Sequence, residues 1–291
     1  MKASFIALVG RPSTGKSTFI NQVCGEKISI VSSHPQTTRN RIRGIYNSKE
    51  GQLVFVDTPG FYQSEQRFNL HLKGLLLSTL QDVDQVLYLL DVSRRPGEEE
   101  RALLELLAAF NGPLIIALNK IDIKKNYRHD YLELIKDKLK QVPIHEISAL
   151  TGNGVESLAA VILLTAPNGE PFYPLDYYTD QNPEFRISEI VREKTINLTR
   201  QEIPHQLYVE VADMEMHNQG TQLWARIFIC VERDSQKGIV VGKKGELIRD
   251  IVRQATEELN SLFPYQVKLD VRVKVRSKWR KNEQLLKKLI S

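Results

Sequence analysis

The sequence predicts an α/β domain with a mixed, mostly parallel six-stranded sheet flanked by helices, followed by a smaller α+β domain. Short apolar runs, typical of buried strands, alternate with helical patterns in the N-terminal part of the chain. Proline and glycine then concentrate between Pro167 and Pro174, which ends this alternation. A helical pattern, two strands, two further helices and a last strand follow. We therefore expect a first domain over residues 1–166, a linker over 167–182 and a second domain over 183–291.

The strands of the first domain are expected from short apolar runs. The runs at 42–47 and 52–57 are separated by the polar turn Asn47–Gly51, so they should pair as an antiparallel hairpin. The other strands should run parallel, because helical segments separate most of them. A helix is expected over 155–165. The predicted strands are 4–9, 42–47, 52–57, 85–91, 113–119 and 144–147.

A glycine loop follows the first predicted strand and leads into a helix. Its spacing, G-x-x-x-x-G-K-S, is that of a P-loop, whose backbone N–H groups surround the phosphates of a nucleotide. Lys16 is expected to reach the β- and γ-phosphates and Ser17 to bind Mg²⁺. The motif predicts a nucleoside triphosphate without selecting its base. The expected phosphate-binding residues are Gly10, Arg11, Pro12, Ser13, Thr14, Gly15, Lys16, Ser17 and Thr18.

Two loops have the composition of γ-phosphate switches. The second of them begins where a buried strand ends in D-x-x-G, so that Asp57 would hold Mg²⁺ through water and the Gly60 N–H would touch the γ-phosphate. In the first loop we expect Thr38 to close over Mg²⁺, because it directly precedes the arginine that leads into the next strand. The expected switch residues are Thr37 and Thr38, then Asp57, Thr58, Pro59, Gly60 and Phe61.

The motif N-K-x-D at the end of another apolar run indicates guanine. The carboxylate of Asp122 can accept hydrogen bonds from both N1–H and the amino group of guanine, whereas adenine has no N1–H. Asn119 would contact the purine edge, and the stem of Lys120 would cover one face of the ring. Ser148 and Ala149 follow a further strand and are placed to offer backbone N–H groups to the guanine O6. Together these motifs predict a GTPase that binds GTP or GDP with Mg²⁺.

The order of elements in the second domain indicates a type II KH domain. A helix is expected over 184–201, two strands over 206–213 and 222–232, and a last strand over 267–276. The motif Gly242–Gly245 lies between two helical patterns, the second of them amphipathic. Two glycines let an RNA backbone approach closely, and the adjoining helix start favours phosphates.

Positive charge concentrates near the C-terminal end. From Lys237 onward there are fourteen Lys and Arg against six Asp and Glu, an excess of eight, although the whole chain carries only +5. The last strand alternates apolar and basic residues, so one of its faces should be basic. We expect salt-sensitive binding to single-stranded RNA, not DNA. Trp279, just past this strand, either stacks on a base or packs within the domain. The expected RNA-binding residues are Ile239, Gly242, Lys243, Lys244, Gly245, Arg249, Arg272, Lys274 and Arg276.

The motifs G-x-P-x-x-G-K-S-T, P-Q-T-T-R, D-T-P-G-F and N-K-x-D, with the KH pattern, resemble the Era family of small-ribosomal-subunit assembly GTPases. The resemblance covers nearly the whole chain and implies binding to the 3′ region of 16S-type rRNA and to the 30S subunit. Phe61 stands where many small GTPases have a water-orienting Gln, so intrinsic hydrolysis should be slow unless a partner or a monovalent cation assists. Ser13 replaces an Asn that commonly helps to coordinate potassium in this class, which leaves potassium dependence open.

Several other features bear on the compartment and on the classes of function that the sequence allows. The well-separated Cys24 and Cys230 indicate thiols in a reducing compartment, and no His or Cys pair has the spacing of a transition-metal site. Without a signal peptide or membrane span, the chain is expected to be cytoplasmic, and weak peripheral association with the inner face of the cell membrane is left open. A monomer is expected. Two rival functions remain: a GTPase whose second domain docks on a protein or, peripherally, on an anionic membrane, and an ATPase acting on RNA, which conflicts with Asp122.

Overall fold

The computed structural model describes residues 1–32, 37–61, 67–139, 141–199 and 203–289. It divides the chain into two compact units, each with a sheet and an apolar core of its own. The first unit comprises Met1–Ser29, Thr38–Asp180 and Lys287–Ser291, and the second comprises Ile30–Thr37 and Gln181–Leu286.

The first unit contains a six-stranded sheet with the strand order β2-β3-β1-β4-β5-β6. Strands β2 and β3 pair antiparallel and the remaining pairs are parallel, which confirms the predicted hairpin and the mostly parallel sheet. The elements are β1 (Lys2–Val9), α1 (Lys16–Cys24), β2 (Ile42–Asn47), β3 (Gly51–Asp57), α2 (Arg67–Gln81), β4 (Gln85–Asp91), α3 (Glu98–Leu107), β5 (Leu114–Asn119), α4 (Arg128–Lys138), β6 (Ile144–Ile147) and α5 (Val155–Thr165).

The central strands of this sheet are buried along their whole length. Every residue of β3 and β4 is buried, as expected where helices cover both faces of a parallel sheet. The carboxyl ends of β1, β3, β5 and β6 each lead directly into one of the predicted nucleotide motifs. Parallel strands bring these ends to one edge of the sheet, which is where open α/β folds bind their ligands.

The segment that follows α5 is hydrogen-bonded to strand β2. The side-chain amide of Asn47 donates to the carbonyls of Leu175 and Tyr177, each at 3.0 Å, and the Ile45 N–H donates to the Tyr178 carbonyl at 2.9 Å. Because β2 is an edge strand, its outer backbone groups have no neighbouring strand to pair with. The proline-rich segment satisfies some of these groups and belongs to the first unit up to Asp180.

The second unit contains a three-stranded sheet in the order β7-β8-β9, with β7 and β8 antiparallel and β8 and β9 parallel. The predicted helix, two strands, two helices and last strand occur in the predicted order, and two short helices that were not predicted, α7 and α10, are added to them. The predicted first helix ends earlier, at Leu198, and residues 200–202 lie outside the described part of the chain. The C-terminal elements are α6 (Pro183–Leu198), α7 (Ile203–Gln206), β7 (Leu207–His217), β8 (Gln222–Val231), α8 (Asp234–Val241), α9 (Glu246–Leu262), β9 (Gln266–Val275) and α10 (Glu283–Leu289).

The core of the second unit lies between its sheet and its helices. Helix α9 buries Ile251, Ala255 and Leu259, whose four-residue spacing forms one apolar face. Trp279 is buried as well: its ring lies 5.0 Å from that of Tyr208, and its Nε1–H donates to a backbone carbonyl at 3.1 Å. Trp279 therefore packs in this unit. None of the described helices has the length and apolar composition that a membrane span requires.

Candidate nucleotide site and nucleic-acid interface

The P-loop backbone follows a path that requires glycine at two positions. Gly15 has φ +97°, and a Cβ built there would lie 2.3 Å from the Asn119 side-chain nitrogen. A Cβ at Gly10 would lie 2.6 Å from the carbonyl oxygen of Leu89. Any larger residue would therefore push the loop away from the sheet edge. The two glycines of the motif keep the loop against the carboxyl ends of β4 and β5.

Lys16 is the buried cation of this loop. It is 6 % exposed, and its Nζ donates to the carbonyls of Gly10 and Arg11 at 3.1 and 3.0 Å. Burial lowers the pKa of Lys16 to about 8, and the nearby carboxylate of Asp57 opposes this shift. A buried ammonium with neutral carbonyl partners is well suited to an anionic ligand, so the site fits the phosphates of a nucleotide.

The three predicted Mg²⁺ ligands lie together. The Asp57 Oδ2 accepts hydrogen bonds from Ser17 Oγ at 2.8 Å and from Thr38 Oγ1 at 3.2 Å, and the two hydroxyls are 3.0 Å apart. Ser29, which no motif indicated, also donates to this oxygen at 2.8 Å. Sequence reasoning missed Ser29 because it lies outside the switch motif and its neighbours carry no recognisable pattern.

This cluster fits Mg²⁺. Asp57 is fully buried, and its Oδ1 has no hydrogen-bond partner among the described residues. Burial raises the pKa of the Asp57 carboxyl, whereas Lys16 and the hydroxyls of Ser17, Ser29 and Thr38 lower it. Mg²⁺ prefers oxygen ligands and is usually held by one or two carboxylates together with phosphates and waters. One buried carboxylate oxygen and two nearby hydroxyls meet that preference.

Thr37 and Thr58 of the two switch loops make different contacts. Thr37 is buried, and its carbonyl accepts a hydrogen bond from Arg192 of the same unit. In the second loop, the Thr58 hydroxyl donates to the Leu8 carbonyl at 2.6 Å, and Pro59 follows it. The Pro35 and Gln36 of the predicted switch motif lie outside the described residues.

Gly60 and Phe61 pack closely on the first turn of the P-loop. A Cβ at Gly60 would lie 2.7 Å from the backbone nitrogen of Pro12, and the Phe61 N–H donates to the Gly10 carbonyl at 3.1 Å. The Phe61 side chain is 6 % exposed and belongs to an apolar cluster that also contains Tyr88. Phe61 is therefore part of the core.

Asn119 and Lys120 join the guanine motif to the P-loop. The Asn119 side chain donates to the Thr14 carbonyl at 2.7 Å and accepts from the Ala149 N–H at 2.9 Å. The Lys120 Nζ donates to the Ser13 carbonyl at 2.9 Å and to Asp91 at 2.7 Å. These bonds fix three loops against one another at the carboxyl ends of β1, β5 and β6.

Asp122 lies exposed at the rim of this site, with Oδ1 accepting a hydrogen bond from Ser148 Oγ at 2.6 Å. Such a bond orients the carboxylate and leaves its second oxygen accessible. Asp91 has a supporting role that the motifs did not indicate: burial would raise its pKa, but hydrogen bonds from Lys120 and Ser93 outweigh burial and lower it. The charged Asp91 therefore holds the Lys120 side chain in place.

Arg11 contributes its backbone to the P-loop and directs its side chain to α3. Its Nη1 donates to both carboxylate oxygens of the buried Glu100, at 2.9 and 2.8 Å. Arg94, which the motifs did not indicate, donates to the Pro12 carbonyl at 2.9 Å. Both arginines support the loop. Of the P-loop side chains, Ser17 bonds to Asp57, whereas Lys16 bonds to the carbonyls of Gly10 and Arg11.

The G-x-x-G motif forms a tight turn between α8 and α9. Gly242 and Gly245 have φ values of +73° and +75°, and Lys244 between them has φ +51°. Lys243, Lys244 and Arg249 are exposed, with Arg249 donating to the Lys244 carbonyl at 3.1 Å. Ile239 on α8 is also exposed, by 50 %. The turn thus offers two lysines, an arginine and an apolar side chain to solvent.

The basic side chains of β9 lie on the other face of the sheet. Val267 and Val273 point into the core beneath α8 and α9, so the alternation of the strand directs Arg272 and Lys274 away from those helices. Arg272 pairs with Asp270 at 3.0 Å, and the Lys274 Nζ lies 3.0 Å from the centre of the Phe228 ring. Arg276 is exposed just past the strand. The structure therefore separates the two predicted groups of RNA-binding residues.

Comparison with known proteins decides the family. Residues 5–120 match the family model described as a 50S ribosome-binding GTPase, and residues 202–280 match the KH domain model. A GTPase Era of Treponema denticola is 45% identical over 293 residues, covering 99% of both chains, and that of Borreliella afzelii is 40% identical over the full length of both. The chain belongs to the Era GTPase family. As a family member, it hydrolyses GTP to GDP and phosphate and uses Mg²⁺.

Solved Era structures share the whole fold. A variant of Aquifex aeolicus Era bound to GDP·AlF4⁻ superposes with a TM-score of 0.91 at 32% identity, and the match covers 99% of both chains. An Era bound to MgGDPNP and nucleotides 1506–1542 of 16S rRNA also gives 0.91 at 32% identity, with 99% and 98% covered. The predicted Era resemblance and the predicted succession of a P-loop GTPase domain and a KH domain are thereby confirmed.

Proposed function

We propose that this Era GTPase binds the 3′ region of small-subunit rRNA through its second unit, under control of the nucleotide in its first, and so assists assembly of the 30S subunit. The glycine turn at Gly242–Gly245 is the main support for RNA binding, because it presents two exposed lysines beside the exposed Ile239. The similar Era that is bound to a 16S rRNA fragment supports the choice of RNA.

In the nucleotide site, each motif has a distinct task. Lys16 would bind the β- and γ-phosphates, and Asp122 would accept from guanine N1–H and the amino group. Ser17, Thr38 and Asp57 would hold Mg²⁺, which neutralises phosphate charge when it is bound. The Gly60 N–H would contact the γ-phosphate, so loss of that group on hydrolysis would release the second switch.

Intrinsic hydrolysis by this site is expected to be slow. The Phe61 ring is buried in the apolar core, and the Thr58 hydroxyl is already bonded to a backbone carbonyl. From Asp57 to Phe61, no side chain is therefore placed to orient the water that attacks the γ-phosphate. We propose that a partner or a monovalent cation assists the attack of this water. Comparing the rate of GTP hydrolysis in potassium and in sodium salts tests whether potassium is that cation.

RNA binding is tested by the fluorescence anisotropy of a labelled single-stranded RNA from the 3′ end of small-subunit rRNA, with a GTP analogue present. Lys243→Ala with Lys244→Ala removes two charges from the turn. Lys136→Ala with Lys138→Ala removes two exposed charges from α4 and is the matched control. The first pair should weaken binding by about tenfold or more and reduce the slope of log affinity against log salt by about two.

Equal weakening by both pairs would mean that only overall charge matters and would contradict a role for the turn. No RNA binding by the native chain would leave a GTPase whose second unit docks on a protein or, peripherally, on an anionic membrane.

We further expect Arg272→Ala with Lys274→Ala to weaken RNA binding less than the turn pair, because Asp270 already neutralises part of that charge. A monomeric state stays a prediction that sedimentation would test.

A further inference from the structure

Arg192 is a buried arginine on α6 that binds more than its ion-pair partner. It is 2 % exposed, and its guanidinium forms a fork with Glu189, with Nε–Oε1 at 2.7 Å and Nη2–Oε2 at 2.6 Å. The same Nη2 donates to the backbone carbonyl of Thr37 at 2.5 Å. An ion pair within one helix has no need of this third bond. Arg192 therefore directs a charged, buried donor at one peptide group of the first switch.

The next residue of α6 holds the other end of the same segment. Glu193, which is 2 % exposed, accepts a hydrogen bond from the Val31 N–H at 2.7 Å, and Lys194 pairs with both Glu193 and Glu258. All of these residues belong to the second unit, as does Ile30–Thr37. Two consecutive side chains of α6 thus bind the backbone at two points of this segment: Glu193 at Val31, and Arg192 at Thr37, directly before Thr38.

The bond to the Thr37 carbonyl acts directly on Thr38. A peptide group is planar, so the Thr37 carbonyl and the Thr38 N–H turn as one rigid unit. Thr38 places its Oγ1 3.0 Å from Ser17 Oγ and 3.2 Å from Asp57 Oδ2. A rotation of that peptide would move the Thr38 hydroxyl out of this cluster. Charge-assisted bonds from a buried guanidinium are among the stronger ways to prevent such a rotation.

We propose that Arg192 is a positioning residue for GTP: by holding the Thr37 carbonyl, it orients the peptide that places Thr38 at the Mg²⁺ and γ-phosphate site. The proposal rests on the role proposed above for Thr38. Since Thr38 would act only when a γ-phosphate is present, Arg192 increases the affinity for GTP and not for GDP. A residue of the second unit thereby sets a property of the nucleotide site through one peptide bond of the chain.

The test measures the ratio of GTP-analogue affinity to GDP affinity in the full chain with Mg²⁺. Arg192→Gln should lower the ratio by about tenfold, through weaker GTP-analogue binding alone, since a hydrogen bond to a charged group contributes about that factor. Arg280→Gln is the control: Arg280 also forms a fork with a carboxylate in the second unit, since its Nε and Nη2 both donate to Glu232. We expect the control to leave the ratio within about twofold of the native value.

The remaining outcomes are separated by two further variants. Thr38→Ala should lower the ratio at least as much as Arg192→Gln, and if it does not, the proposed role of Thr38 fails. An unchanged ratio in Arg192→Gln beside a lowered ratio in Thr38→Ala overturns the proposal for Arg192 alone. Should Arg192→Gln not fold, Arg192→Lys decides: without the planar fork, it should lower the ratio by about threefold, and an unchanged ratio overturns the proposal.

Discussion

Lys16 is a buried ammonium whose pKa burial lowers to about 8, compared with 10.5 for an exposed lysine. Above pH 8 it is therefore largely neutral before a nucleotide binds. The phosphates of a bound nucleotide would favour the charged form and raise the pKa again. Nucleotide binding and proton uptake are consequently linked at this residue.

We expect GDP binding at pH 8.5 to take up more than about half a proton, and binding at pH 7.0 to take up nearly none, because Lys16 is then already charged. Isothermal titration calorimetry in buffers with different ionisation enthalpies measures the number of protons directly. Equal and negligible uptake at the two pH values would show that Lys16 is fully charged in the free protein.

The Asp122 carboxylate is the group expected to select guanine. Asp122→Asn replaces an acceptor with a donor opposite guanine N1–H, so GTP affinity should fall by about 100-fold or more while xanthosine triphosphate affinity rises. Competition binding with a fluorescent nucleotide measures both. Asp137→Asn, a surface change on α4, should alter neither affinity, and an unchanged GTP preference in Asp122→Asn would contradict the assignment of the base.

The residues named by short motifs were predictable because nucleotide chemistry fixes their type and spacing. Ser17, Thr38 and Asp57 fall within 3.2 Å of one another as that chemistry requires. Ser29 and Arg192 were not predictable, because each acts on a motif residue from a distant part of the chain. Only the fold brings them together, and a serine or an arginine has no local sequence signal for such a role.

At the scale of elements, the glycine turn between α8 and α9 has a backbone that other residues avoid. Gly242 has φ +73° and ψ 175°, a region that is almost exclusive to glycine, and a Cβ there would lie 2.9 Å from the Leu247 nitrogen. Gly238 lies within α8, and a Cβ there would meet nothing within 4 Å. The two glycines therefore form a matched pair in one short segment.

We expect Gly242→Ala to lower the free energy of unfolding of the second unit by about 2 to 3 kcal/mol, through backbone strain and the close contact. Gly238→Ala should raise it by about 0.5 to 1 kcal/mol, since alanine suits a helix interior better. Urea unfolding followed by tryptophan fluorescence measures this unit, because both tryptophans, Trp224 and Trp279, lie in it. A stabilising Gly242→Ala would contradict the described turn.

Elements with a strong period were predictable, and tertiary contacts decided the rest. Strands β4 and β6 have the predicted bounds, because an uninterrupted apolar run ends at a polar residue in the first and a short strand-like run precedes the Ser148 loop in the second. The segment after α5 was expected to be a linker from its prolines, yet it pairs with the edge of β2, which no local pattern encodes. Helix α10 was expected to be part of a basic tail, since seven residues provide little periodic signal.

For the whole molecule, we propose that the nucleotide and RNA sites are thermodynamically linked. If the GTP state binds RNA more tightly than the GDP state, RNA must increase the preference for GTP over GDP by the same factor. Thr37 and Thr38 are adjacent in sequence and belong to different units. We propose that a change in the first switch reaches the second unit through this peptide bond.

The most direct measurement is RNA affinity by fluorescence anisotropy on the native chain with GTP analogue, with GDP and without nucleotide. We expect RNA affinity to be about 5- to 100-fold higher with the analogue than with GDP, and saturating RNA to shift the ratio of analogue to GDP affinity by the same factor. Equal RNA affinity in all three states would contradict the linkage of the two sites, even if the chain both hydrolyses GTP and binds RNA.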